Sequence, residues 1–451
     1  MKQKMVGESL LGPSAAILGL LRLWRAPPAA SGVRVSDGAC LLLLALCPLL
    51  MALKLTTEHS HDLLDLTWNV FILFASSLVF VKVACFVHQR AAMQEVVQLL
   101  LSCRNCHYGG DSGSATRHSY QRLGRTIYFG IQVMVTMAWM GVVFLPLLNH
   151  GISTTGEELT AKEYAPLPIW LPFKVHSSPS YEFTYAVQVL WLAFVAETSI
   201  CIDCIFMNLM LMITAELHIL NSTLSTLQKN SFVNKVPVVS TNEITENMLP
   251  FTHRRGIKYS KQIYENLTPV EGTEDSSSDT CNSYYAISQG EIKQRMYQQL
   301  LKNIQYHQTI IKCTASAQKA MNFSVFVLLS TNIIEICSSI FSTAELLKND
   351  MPVAAMKTLC MIPVILCQSG MYCFFGQMIA DESEKLLQSA YNCGWYECDI
   401  RFRNVSFILM LRVTSPLKIT VGKTMSLSRQ TFLQVLNGAY ALLNMAYHVN
   451  K

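Results

Sequence analysis

Residues 428–449 read SRQTFLQVLNGAYALLNMAYHV, an apolar run interrupted by Gln434, Asn437, Asn444 and His448. With Ala441 among them, these positions recur every three or four residues, so on a helix they form one continuous stripe. Amides and an imidazole can replace part of an ion's hydration shell, and an adjacent apolar group such as Met445 can close a passage by dewetting. No Asp or Glu lies in the stripe, which argues against strong calcium selection. Polar groups facing lipid would each be costly, so the stripe must face protein or water. Two arrangements satisfy this. One is a seam against neighbouring helices of the same bundle, with amides bonding across it. The other is a wetted wall shared between subunits.

Other reactive residues point to less. CRNCH (103–107) matches a haem-attachment spacing but falls in a stretch read as cytosolic, with no second ligand evident. Cys201 and Cys204 flank Asp203 inside an apolar run, without the soluble fold a redox pair needs. Glu197 and Asp203 could serve a proton relay in a transporter, but no internal repeat or broken-helix pair accompanies them. They are expected to be paired or hydrated in the cytosolic half of the bundle. No catalytic constellation, cofactor motif or metal-ligand set stands out, so no enzyme activity, cofactor or metal is expected.

The elements carrying these residues are membrane spans. Of 451 residues 51% are hydrophobic and 14% charged, and the mean hydropathy is +0.30; lipid must cover part of that surface. The net charge of +5 is spread over loops, and no basic run with interleaved aromatics suggests nucleic acid. Fifteen cysteines, an odd number and many inside apolar runs, read as small buried hydrophobes rather than a disulfide framework. The first apolar run begins near Ala39, too far in for an ordinary signal peptide.

Seven runs suit spans of about 20 residues: 39–53, 66–87, 127–148, 185–213, 320–341, 353–380 and 429–449. Lys82, near the end of the second, is expected to snorkel to the interface. The sixth carries Lys357 and Pro363. NVSFILML (404–411) is too short to cross and reads as a membrane-proximal or buried cytosolic helix. The loop after span two carries Arg90, Arg104, Arg117, Arg122 and Arg125 against Glu95 and Asp111, whereas the loops after spans one and three are acidic. That bias places the N-terminus in the cytosol and the C-terminus outside, inverted relative to a G-protein-coupled receptor. The four sequons, at Asn221, Asn266, Asn322 and Asn404, then face no glycosylating compartment.

The expected organisation is all-α: a cytosolic N-terminal segment (1–38), spans one to four (39–213), a cytosolic region (214–319), spans five and six (320–380), a cytosolic anchor block (381–428) and a last span (429–449). Within 214–319 the flanks have helical periodicity and extend spans four and five. The insert at about 230–290, centred on VEGTEDSSSDTCNSYY, reads as disordered.

Residues 389–443, SAYNCGWYECDIRFRNVSFILMLRVTSPLKITVGKTMSLSRQTFLQVLNGAYALL, resemble the C-terminal signature of insect odorant receptors, through Tyr391, Trp395, Tyr396, Arg412, Pro416, Leu417, Gly422, Phe432 and Tyr440. LLKNIQYHQTII, with His307, resembles the family's Leu-rich helix. PLPIWLPFKVHSSPSYEFTYAVQ (166–188) is similar to its second extracellular loop. The cytosolic region is longer than is usual for the family. The tail lacks the co-receptor's ending, so the chain looks like a ligand-tuning subunit. Ala439, Ala446 and Tyr447 stand where gustatory relatives carry other residues.

The resemblance implies an odorant-gated, weakly selective cation channel subunit. Its partners would be the odorant co-receptor in a heterotetramer, a small volatile ligand and membrane lipid, with no nucleic acid. It implies a multi-pass plasma-membrane protein of the olfactory neuron dendrite. The alternatives are a gustatory-type channel or a G-protein-coupled receptor. In the family the last helices of four subunits surround the pore, which makes Gln434, Asn437, Ala441, Asn444, Met445 and His448 the pore residues, with Met445 at or beside the gate. The family's ligand pocket lies between spans two, three, four and six in the outer half of the membrane. Candidates here are Phe71, Phe74, Met137, Trp139, Phe194, Gln368 and Tyr372, the last two one turn apart. Trp395, Tyr396, Phe402 and Phe407 are the candidate subunit anchors, although packing within one subunit suits any one of them equally.

Overall fold

The structure, a computed structural model, describes residues 11–24, 35–57, 63–106, 110–152, 167, 169–170, 180–227, 277–349, 352–422 and 425–449. Its helices are α1 (Pro13–Leu20), α2 (Val35–Thr57), α3 (Leu63–His88), α4 (Arg90–Cys106), α5 (Gly110–Ile152), α6 (Ser180–Ser225), α7 (Ser277–Lys348), α8 (Pro352–Leu359), α9 (Ile362–Tyr391), α10 (Ile400–Val413) and α11 (Arg429–Val449). A 3₁₀ turn, Trp395–Glu397, precedes α10. A two-stranded hairpin, β1 (Thr420–Val421) with β2 (Met425–Ser426), precedes α11.

Among the described residues six helices are long and apolar enough to cross a membrane: those of α2, α3, α5, α6, α7 and α9. The seventh expected span, α11, has 21 residues, about 31 Å at about 1.5 Å per residue. That length spans a bilayer; its polar stripe is what keeps its hydropathy below the others.

Helix α6 is the axis of the bundle. Every residue from Ile200 to Leu217 is buried, so this stretch is enclosed all round rather than along one stripe. It packs against α9, α5, α7, α1, α3 and α4. At 46 residues it measures about 69 Å, more than twice a hydrocarbon core of about 30 Å, so it continues well beyond the membrane. The same holds for α7, with 72 residues.

Two expectations change here. Span six is not one helix: the chain breaks at Cys360–Met361 between α8 and α9. Pro363 cannot donate to a preceding turn, so it sits in the first turn of α9, where no partner is needed. Of the insert expected to be disordered, residues 228–276 lie outside those described, but 277–290 belong to α7.

The N-terminal segment docks on the axis. Asn208 Nδ2 donates to the carbonyl of Leu11 at 2.9 Å, and Trp24, Phe86 and Phe206 form a chain of ring contacts at 6.0 and 6.2 Å between centroids. A buried pair, Arg90 to Asp37 at 2.9 Å, ties the start of α4 to the start of α2. The described cysteines are all free thiols.

Candidate functional site

The hairpin sets the direction of α11. Gly422 has φ +59, and a Cβ there would lie 2.3 Å from the Phe326 ring, so both conformation and space require glycine. Its N–H donates to Asn322 Oδ1 at 2.8 Å. A Cβ on Gly376 of α9 would lie 2.4 Å from Leu427, which lets the hairpin lie directly on α9. Ser428 Oγ then accepts from the N–H of Thr431 at 3.2 Å, an N-cap that starts the helix.

From that start α11 presents two faces. Thr431, Val435 and Ala439 are buried, and the helix packs on α7 and α9, with Gly438 close to Ile333. On the other side Gln434, Asn437, Ala441, Asn444, Met445 and His448 are all exposed, Met445 at 65%. The protomer therefore leaves the stripe open, and of the two arrangements the sequence allows, the sealed seam within one bundle is absent.

A second constellation lies among α3, α5, α6 and α9. Asp203 accepts three bonds: Lys82 Nζ to Oδ2 at 2.9 Å, Gln368 Nε2 to Oδ2 at 2.6 Å, and Tyr372 Oη to Oδ1 at 2.7 Å. Lys82 also donates to Ser199 Oγ at 2.8 Å. Lys82 and Tyr372 are each 1% exposed, so Lys82 does not snorkel. A lysine near a span end reaches for the interface only when no carboxylate is nearer, and here Asp203 meets it inside. Glu197 is likewise paired, accepting from Gln132 Nε2 at 2.6 Å.

Asp203, Gln368 and Tyr372 form the polar end of a cavity whose walls include Met134, Val135, Ile200, Met207, Val364 and Met371. Its volume is about 30 Å³, room for about two waters. Met134 and Val135 lie in the first half of the 127–148 run and Asp203 in the second half of 185–213. In the assigned topology the cavity sits at the midplane and inner half, deeper than the expected outer-half pocket.

Of the seven ligand candidates, Gln368 and Tyr372 line this cavity, each with one donor committed to Asp203. Phe71 is buried and Phe194 packs against the main core. Trp139 is half-buried, and its Nε1 has no hydrogen-bond partner among the described residues. Phe74 and Met137 are exposed, Met137 at 68%, so it points away from the bundle interior. Sequence reading missed Met134, Met207 and Met371; Met207 and Met371 fall in apolar runs where every position looked alike.

In the anchor region Tyr396 and Phe407 are exposed, as are Ile400, Ile408 and Leu411. Phe402 is 2% exposed and serves its own subunit instead, because it shares the inward face of α10 with Ser406, Leu409 and Val413. Trp395 packs on the core.

Below the spans a buried ionic knot joins α4, α5, α6 and α7, and nothing in the sequence announced it. Glu216, 0% exposed, accepts from Arg117 Nε at 3.0 Å and Nη2 at 2.8 Å. Arg104 Nε lies 3.5 Å away, and the Tyr306 hydroxyl also donates to it. Burial, then the neighbouring Glu216, push the Tyr306 phenol well above its usual range. At the next residue, burial and then Arg412 push His307 down to about 4. Nearby, Asn221 Nδ2 donates to the Glu382 carbonyl at 2.8 Å, so this sequon amide is committed inside the fold. Burial favours the neutral form of Glu382, but Lys385, His218 and Asn221 outweigh it and hold the carboxyl below its usual range.

A family model described as the 7tm odorant receptor matches residues 62–440. Odorant receptor 19a of Drosophila melanogaster is 22% identical over 157 residues, 35% of this chain and 40% of that one. Odorant receptor 85c of the same species is 30% identical over 153 residues, 33% and 38%. The odorant receptor coreceptor of Anopheles gambiae is 19% identical over 333 residues, 67% and 68%. The matched stretch thus spans well under half of the first two relatives. The solved structure of the insect olfactory receptor OR5 from Machilis hrabei with eugenol superposes with a TM-score of 0.71 at 12% identity, covering 97% of both chains.

Proposed function

The chain belongs to the seven-transmembrane odorant receptor family, a multi-pass membrane fold, and from that premise we propose that it is an odorant-gated cation channel subunit. It works with an odorant co-receptor in a heterotetramer at the plasma membrane of an olfactory neuron's dendrite. The observation that carries the reading is the divided helix α11: one face packed on α7 and α9, the other offering Gln434, Asn437, Asn444 and His448 to water. Four such faces around an axis make a passage lined by amides, closed by apolar Met445. Tyr396 and Phe407 hold subunits together.

The ligand is a small volatile, entering from the outer side among Phe71, Phe74, Trp139 and Phe194. Trp139 lies five residues beyond Met134 on α5, about 7.5 Å along the axis, so a ligand of ordinary odorant length spans from there to Gln368 and Tyr372. A cavity of about 30 Å³ must widen to admit it, which favours opening if the ligand binds the widened state better. The solved relative's ligand, eugenol, supports this size class. The family match favours neither the gustatory-type nor the G-protein-coupled reading. The test is current through membranes of cells expressing this chain with a co-receptor while G-protein signalling is blocked. A ligand-evoked cation current is expected; a response that needs GTP contradicts the proposal.

A further inference from the structure

We propose that the Asp203 cavity selects odorants carrying a hydroxyl or N–H donor, namely alcohols, phenols and amines, over ethers, ketones and esters of the same skeleton. This rests on the channel reading above and adds the chemical class of its ligand.

The preference follows from the direction of the hydrogen bonds. Asp203 lies 2.9 Å from the Lys82 ammonium, and a carboxylate paired with a cation has only lone pairs to offer. Each neighbour within bonding distance must therefore donate. Tyr372 has one hydroxyl proton, and it goes to Oδ1. Gln368 turns its Nε2 to Oδ2, and this fixes the amide so that Oε1 points elsewhere. Both dipoles are oriented by one buried charge that holds them across 165 and 169 residues of sequence.

What this polar end leaves for a ligand is an excess of acceptors: the remaining lone pairs of Tyr372 Oη, Gln368 Oε1 and the carboxylate. The donors left over are the second N–H of Gln368 and the thiol of Cys204, a weak donor. The rest of the wall is aliphatic or thioether. A ligand hydroxyl finds a partner at once. An ether or ester oxygen meets lone pairs facing lone pairs, and it loses the water that would have donated to it.

Trp139 Nε1, an unpartnered donor further along α5, does not blur the comparison. An alcohol and its methyl ether offer it the same kind of acceptor oxygen; the ether carries a methyl where the alcohol carries the donor proton.

The experiment is a concentration–response series on cells expressing the full chain with a co-receptor. The probes are the primary alcohols from butanol to decanol and the three cresols, each against its methyl ether, and the alcohols also against their acetates. We expect alcohols or cresols to half-activate at concentrations at least about tenfold below their ethers and acetates, the loss one unmatched polar pair gives. Gln368→Met removes one of the three acceptors, and the ratio should shrink; labelling of an epitope tag confirms surface delivery. Should that variant fail to reach the surface, the wild-type ratio decides alone. Ethers or acetates that match or exceed their alcohols overturn the donor rule and leave the channel reading intact. A panel silent throughout, alcohols included, overturns it as well, and GTP-dependent responses overturn the channel reading beneath it.

Discussion

Tyr372 on α9 donates its hydroxyl proton to Asp203 on α6 across 2.7 Å, inside a helix bundle where both were candidates for other work. Asp203 is also the partner of Lys82. One carboxylate thereby ties three spans together and shapes the cavity between them. Low dielectric makes such a pair costly to break from one side and nearly neutral to replace as a whole.

Removing one partner should therefore be worse than removing both. Asp203→Leu strands the Lys82 ammonium and is expected to cost about 3–5 kcal/mol, read as lost surface delivery and a lower Tm of purified protein. Lys82→Met together with Asp203→Leu should recover most of that loss. Equal damage from the single and double variants would contradict the pairing.

The ionic knot at Glu216 makes a parallel case. Glu216→Leu leaves the buried Arg117 and the half-buried Arg104 without their counter-charge, at a cost of about 3–5 kcal/mol. Because α4 to α7 meet there, loss of helical protection in hydrogen exchange should spread to all four helices rather than stay on α6.

Gly422→Ala tests the hairpin that aims α11. A left-handed residue costs about 1–3 kcal/mol when it is not glycine, and here the added methyl also meets Phe326 at 2.3 Å. The expected result is a lower Tm and reduced current with normal co-receptor association. An unchanged Tm would show that the hairpin can rearrange freely.

The two faces of α11 were legible in sequence because a spacing of three and four residues is the helix's own period. The spans were legible because hydropathy over about 20 residues needs no knowledge of partners. The Lys82–Asp203 pair was not, since 121 residues separate the two and a lysine near a span end has a plausible alternative at the interface. Glu216 was hidden in an unremarkable helical stretch; its role exists only once four helices converge. Phe402 and Phe407 illustrate the same limit at short range: five positions apart on one helix, they take opposite sides, and sequence offered no way to tell which was buried.

His307 on α7 gives the stability of the fold a pH dependence. Its folded pKa, about 4, lies below the ordinary 6.5, so between those values the unfolded chain binds more protons. Stability is full above about pH 6.5 and falls as pH drops toward 4, by about 3 kcal/mol in total. Thermal melts of purified protein between pH 7.5 and 4.5 should show this slope, and His307→Leu should flatten it.

The central claim, that the open face of α11 lines the ion path, is tested most directly at Asn444. Single-channel conductance to sodium should be measured in cells expressing the co-receptor with Asn444→Asp or Asn444→Lys. The account predicts opposite changes, higher for the acid and lower for the lysine, because a fixed charge on the wall attracts or repels the permeating cation. Unaltered conductance in both variants, at normal surface expression, would contradict it.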